Sequence, residues 1–277
     1  MNSTSSKKNL PKFGIALSGG GARGIAHIGV LQALEEFGIK PQVVSGTSMG
    51  AIVGVFYAAG YSPKEMLKIL VDRKFHKMIN WHRPFSGLID IGQVKKVMAD
   101  MIGPDDFSSL KMPFYCAVTN LNSGLEEIKT EGKLFQWVMA STSIPVVFEP
   151  QIINGQTYVD GGLLNNLPAG AIRDKCQVLI GVHVNHIGPE EEVKGLKTIA
   201  ERAFRLGIAQ NVEESKRICD FVIDPPEARN FNTFNFNKTA EIYQVGYDAT
   251  VKQIMKLFED IDLEKVTELK NKKSEKS

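Results

Sequence analysis

The sequence predicts an α/β protein with a largely parallel sheet between helical layers, and three observations carry that expectation. Apolar strand-like runs alternate with helix-periodic segments along nearly the whole chain. The first run, residues 13–18, is almost wholly apolar, as befits a strand covered on both faces. Two glycine-bearing turns, Gly19-Gly20-Gly21-Ala22-Arg23-Gly24 and Gly46-Thr47-Ser48-Met49-Gly50, each follow a short strand and open a helix.

After the first turn, Ile25, Ile28, Leu31, Leu34 and Phe37 recur at helical spacing, and Gly38 stands where a helix is closed. Residues 41–45 supply the second strand, and residues 49–59 form the helix that the second turn opens. Ser62-Pro63-Lys64-Glu65 is a capping box for a helix reaching about residue 73. Residues 75–91 mix Trp81, His82, Pro84, Phe85 and Gly87 without a period and are expected to form a lid over an apolar site.

Residues 92–102 are helical, and residues 114–121 and 125–130 are strands joined through Asn122-Ser123-Gly124. A helix over residues 133–141 follows. Ile152-Ile153, then Asn154-Gly155, then residues 157–159 make a hairpin, because Asn-Gly suits the positive dihedrals of a tight turn. That hairpin delivers Asp160-Gly161-Gly162. A strand at 178–184, a long helix at 196–216, a strand at 221–223 and a last helix at 238–258 complete the pattern. No Pro/Gly/Ser linker divides the chain, so a single domain is expected over residues 13–260, between polar tails at 1–12 and 261–277.

Composition narrows the function. The 277 residues are 43% hydrophobic, enough for a sizeable core, and 33 basic against 31 acidic residues leave a net charge of +2. That balance gives no electrostatic footprint for nucleic acid. Cys116, Cys176 and Cys219 lie in apolar surroundings and read as buried thiols of a reducing compartment. The first residues lack the apolar centre of a signal peptide, and the most apolar stretch, residues 49–61, is shorter than the roughly 20 residues that cross a bilayer. A cytoplasmic protein without a transmembrane segment is expected.

The chemistry lies in the turns. Gly46-Thr47-Ser48-Met49-Gly50 has the G-x-S-x-G form that raises a serine at a strand-to-helix turn; a plain helix cap is the alternative for Ser48. Gly19 to Gly24 offers unhindered N–H groups at a helix head, where an anion is favoured. It also fits a dinucleotide loop, but that reading wants an acidic residue at the end of the second strand, where Ser45-Gly46-Thr47-Ser48 stands. Ser48 needs a base. Of His27, His76, His82, His183 and His186, only His186, just past a strand, is well placed for a triad. Asp160 is the better candidate: it ends a hairpin strand, and burial would raise its pKa from about 3.9.

These motifs resemble those of the patatin-like phospholipase family. The likeness rests on Gly19-Gly20-Gly21-Ala22-Arg23-Gly24, Gly46-Thr47-Ser48-Met49-Gly50 and Asp160-Gly161-Gly162, in that order. Ile25-Ala26-His27-Ile28-Gly29-Val30-Leu31, Ser143-Ile144-Pro145 and Asn165-Asn166-Leu167-Pro168 support it, and the likeness spans roughly residues 13–185. The resemblance implies a three-layer α/β/α sandwich in which Ser48 is the nucleophile and Asp160 the proton acceptor, without histidine. It assigns the oxyanion hole to Gly19, Gly20 and Gly21, supported by Arg23, and makes Gly24, Gly46, Gly50, Gly161 and Gly162 motif glycines. Fatty-acyl esters of phospholipids and related lipids are the implied substrates, cleaved through an acyl-enzyme, with no metal and no cofactor.

The same dyad would serve an acyltransferase or a thioesterase. A lipid-binding or regulatory module that keeps the fold without the activity is a reading from another class, and intact Ser48 and Asp160 argue against it. Lipid substrates imply transient contact with a membrane surface. Val251, Ile254, Leu257, Phe258 and Ile261 form an apolar stripe on the last helix, expected to pack on the domain rather than on lipid.

Overall fold

The computed structural model describes residues 12–71, 91–145, 147–186, 193–233 and 236–274. Among them an eight-stranded sheet has the order β5-β6-β3-β2-β1-β7-β8, with β4 also paired to β3. The strands are β1 (Phe13–Leu17), β2 (Pro41–Gly46), β3 (Phe114–Asn120), β4 (Leu125–Lys129), β5 (Gln151–Ile153), β6 (Gln156–Asp160), β7 (Val178–Val182) and β8 (Phe221–Ile223). Pairing is parallel from β3 through β2, β1 and β7 to β8, and antiparallel where β4, β6 and β5 gather at the other end.

The strands sort their side chains by the two-residue period of a pleat. Ile15, Leu17, Val44, Cys116, Ile180 and Val182 face one core, while Ala16, Val43 and Leu179 face a second. The larger core is closed by α1 (Ala26–Glu36), α2 (Met49–Ala58), α3 (Pro63–Val71), α4 (Ile91–Ile102), α5 (Leu134–Ser141) and the start of a long final helix. The second is closed by Ile208 and Val212 of α7 (Leu196–Arg217) and by Ile172 of a 3-10 segment. A short turn of helix, α6 (Gly162–Asn165), follows β6 directly. Helices on both faces of a mostly parallel sheet make the three-layer sandwich.

Local chemistry sets the boundaries. The Gly38 and Ile39 N–H groups return to the carbonyls of Glu35 and Leu34, closing α1 with Gly38 at φ 77°. At the capping box the Ser62 N–H donates to Glu65 Oε2 at 2.8 Å and the Glu65 N–H to Ser62 Oγ at 3.3 Å. Asn154 and Gly155 take φ 52° and 74° in the hairpin turn between β5 and β6.

Two expectations are altered. The last helix, α8 (Thr239–Ser274), does not stop at residue 258 but carries helical backbone through most of the stretch expected as a polar tail. Its Ile254 is buried against the larger core, so this part of the apolar stripe packs inward. Cys116 is buried, whereas Cys176 and Cys219 are half-buried; all three are free thiols. The expected lid, residues 75–91, lies outside the described residues except for Ile91. Among the described residues no helix is long and apolar enough to cross a membrane.

Candidate active site

Strand pairing brings Ser48 and Asp160 together. β2 runs beside β3 as far as the Gly46–Cys116 pair, then the chain turns out into α2. The place it vacates along β3 is taken by β6, whose last residue, Asp160, pairs with Val118. Ser48 therefore leaves the sheet where Asp160 enters it. Close backbone approach makes this junction fit: a Cβ at Gly50 would lie 2.3 Å from the Leu17 carbonyl oxygen, and one at Gly161 2.2 Å from that of Ala117. Gly24 and Gly46 are similarly crowded, against Met49 and Gly50.

Ser48 caps α2 at φ 56° and ψ −125°, a conformation that glycine adopts in tight turns and other residues rarely do. Two hydrogen bonds tie this strained residue to the sheet: its N–H donates to Ser141 Oγ at 2.9 Å, and the Ser141 hydroxyl donates to the Ala117 carbonyl at 2.7 Å. The Ser48 hydroxyl and the Asp160 carboxyl group line the same cleft, and Ser48 is close enough to pull the carboxyl pKa down. Asp160 is 2% exposed and its Oδ1 accepts the Gly162 N–H at 2.7 Å. Burial pushes its pKa up to about 7, against the opposing pull of Ser48 and of the Gly162 hydrogen bond.

Gly19, Gly20, Gly21, Ser48, Asp160 and Asn166 line one open cleft of about 420 Å³. The glycine loop runs into a 3-10 turn, Gly21–Ile25, with Gly21 at φ 57° and packed so closely on the Thr233 carbonyl that a Cβ would lie 2.3 Å from it. Gly19 does not take the role that the resemblance gives it. Its N–H is donated to the Asn166 carbonyl at 3.1 Å, whereas Gly20 and Gly21 stand at the head of the 3-10 turn.

Arg23 is buried beneath the loop instead of in the cleft wall. Its Nε donates to the Phe231 carbonyl and its Nη1 to Asn185 Oδ1, both at 2.8 Å. It ties the loop to the last third of the chain.

Among the described residues no histidine lines the cleft with Ser48. His186, the triad candidate, has its Nδ1 3.8 Å from Asp224 Oδ1, and His183 approaches the same carboxylate at 3.2 Å. Burial would raise the pKa of Asp224, but His183 and Lys216 outweigh it and hold it at about 2. His27 is fully buried and its Nε2 donates to the Ser18 carbonyl at 2.8 Å; burial lowers its pKa to about 4 and keeps it neutral. His76 and His82 lie outside the described residues. Among the described residues no group of three or more His, Cys, Asp or Glu side chains is placed to hold a metal ion.

A family model described as patatin-like phospholipase matches residues 15–172, a span that contains Ser48, Asp160 and all three glycine motifs. The chain belongs to the patatin-like phospholipase family. Among patatin-like relatives, Lysophospholipase NTE1 of Candida glabrata is 29% identical over 270 residues, covering 85% of this chain and 16% of its own length. Lysophospholipase NTE1 of Saccharomyces cerevisiae gives the same figures. The chain thus spans about one-sixth of the length of these relatives. In fold it is similar to VipD from Legionella pneumophila, with a TM-score of 0.56 at 17% identity, over 87% of this chain and 66% of that one.

The patatin-like match ends before several residues that complete the cleft. Asn185, Arg205, Ile208 and Thr233 join Ile144 in its wall, and all but Ile144 lie after residue 172. They stand in no motif, and their places depend on how α7 and the segment before α8 fold back over the sheet. Ser141 was equally unmarked, being one polar residue at the end of an apolar helix.

Proposed function

We propose that the chain is a serine acyl hydrolase of single-chain lipid esters, working through Ser48 and Asp160. The observation that carries this reading is the juxtaposition, in one cleft, of a strained serine and a buried carboxyl group whose pKa stands at about 7. A base of that strength accepts a proton efficiently near neutral pH.

In the first step Asp160 takes the Ser48 hydroxyl proton as Oγ bonds to the ester carbonyl carbon. The negative charge gathered on the carbonyl oxygen faces the Gly20 and Gly21 N–H groups. Collapse of the tetrahedral adduct breaks the bond to the alcohol oxygen, which leaves with the proton held by Asp160. In the second step Asp160 takes a proton from water, whose oxygen attacks the acyl carbon, and Ser48 regains its proton as the carboxylic acid departs. The preference for single-chain lipids draws support from the relatives that are named lysophospholipases. Free thiols fit a reducing, cytoplasmic setting, and lipid substrates bring the protein transiently to a membrane surface.

A panel of lysophospholipid, diacyl phospholipid, monoacylglycerol and acyl thioester tests this reading beside Ser48→Ala. Lysophospholipid turnover that vanishes in the variant is expected. Its kcat/KM should climb as pH rises through about 7, since only the ionised carboxylate can act as base. Turnover that survives Ser48→Ala would overturn the assignment.

A further inference from the structure

We propose that Arg205 is the anion-binding residue of the cleft, receiving the phosphate group of a single-chain glycerophospholipid whose acyl ester is presented to Ser48. The inference rests on the acyl-hydrolase reading above and adds to it the chemistry of the head group.

The inner face of α7 places this arginine. Asn211 Oδ1 accepts the Asn166 N–H at 3.1 Å, and Asn211 Nδ2 donates to the Gly162 carbonyl at 3.4 Å, so the helix is registered against the segment that follows Asp160. One turn earlier Ile208 is buried at the cleft, and one further turn back Arg205 lines it. The same helical face that locks onto the catalytic aspartate's loop therefore carries a guanidinium into the cavity.

Charge separates its role from that of the dyad. Among the described residues lining the cleft the ionisable side chains are Asp160 and Arg205. Asp160 is governed by burial, Ser48 and Gly162. Near Arg205 stand neutral hydrogen-bonding groups, Asn185 and Thr233. Asn185 turns its Oδ1 to Arg23, which leaves its amide nitrogen as a donor for a ligand.

A glycerol head group links the two ends of such a ligand. In a 1-acyl lysophospholipid six covalent bonds separate the acyl carbonyl carbon from phosphorus, roughly 7 Å when extended. Ser48 and Arg205 line the same open cleft, so an ester at the one and a phosphate at the other belong to one site. Guanidinium groups bind phosphate oxygens through paired N–H donors, a match that lysine reproduces only in charge.

The test compares kcat/KM for a 1-acyl lysophospholipid and for the monoacylglycerol with the same chain, both kept below micelle-forming concentrations. Arg205→Gln is expected to lower the lysophospholipid value about tenfold or more, mainly through KM. Monoacylglycerol turnover should stay within about twofold, and Arg205→Lys should recover part of the loss. An equal fall on both substrates, or no fall on either, would overturn the proposal.

Ser48→Ala provides the separate control, because its failure to abolish turnover would strike the hydrolase reading instead. Binding of a non-hydrolysable ether lysophospholipid, measured by calorimetry, gives a second readout independent of turnover. Arg205→Gln should weaken that binding about tenfold, and an unchanged affinity would refute the proposal.

Discussion

Ser48→Gly and Ser48→Ala should each lose ester hydrolysis by about a millionfold, the usual cost of removing a serine nucleophile, and the glycine variant should be the more stable of the two. Both lose the hydroxyl, so the difference between them isolates the backbone. At φ 56° and ψ −125° a Cβ is strained, and such strain costs about 1–3 kcal/mol. Glycine removes it, giving back about 0.5–1 kcal/mol through its greater freedom in the unfolded chain. Urea unfolding should therefore rank glycine above alanine by about 1 kcal/mol. At an ordinary helix position the order is the reverse. If alanine proved the more stable, Ser48 would not be held under strain.

Asp160→Asn is the second large effect, and it too couples inactivity to stability. The amide can accept the Gly162 N–H and donate to Ser48 Oγ, so the hydrogen bonds survive while the base is lost. General-base catalysis is worth up to about ten-thousandfold, and a fall of about a thousandfold or more is expected.

The stability change follows from the raised pKa. Below the ordinary value of 3.8 the carboxyl is protonated whether the chain is folded or not. As pH rises from there to about 7 the unfolded chain ionises and the folded one resists, so the native protein loses stability. Each pH unit in that window costs about 1.4 kcal/mol, which brings the total to the order of 4 kcal/mol. Above about 7 both forms are ionised and the loss stays constant. Asp160→Asn is free of this term, so its advantage over the native chain should grow between pH 4 and pH 7 and then level off. A stability difference independent of pH would contradict a buried, proton-seeking Asp160.

Much of this site could be read from the chain because its parts are local. A glycine turn, a G-x-S-x-G turn and an Asn-Gly hairpin ending in aspartate each state their geometry within a few residues. The alternation of apolar runs likewise announced the sandwich, since each strand of a doubly covered sheet must be apolar on both faces.

What the chain did not disclose depends on distant pairing. Ser48 meets Asp160 because β3 is shared by β2 and β6 in succession, a division that no periodicity marks. The Gly19 N–H looked free until the Asn166 carbonyl, far along the chain, was folded against it. Arg23 finds its partners at Asn185 and Phe231. His186 had the right chain order for a triad, yet it sits beside Asp224, a residue that gave no signal of its own.

The most direct test is to quench the protein within milliseconds of mixing with an activated acyl ester and to weigh its peptides. The acyl mass is predicted on the Ser48 peptide, absent in Ser48→Ala and much slower to appear in Asp160→Asn. Rapid ester cleavage with no acyl group on Ser48, or an adduct on another residue, would contradict the account.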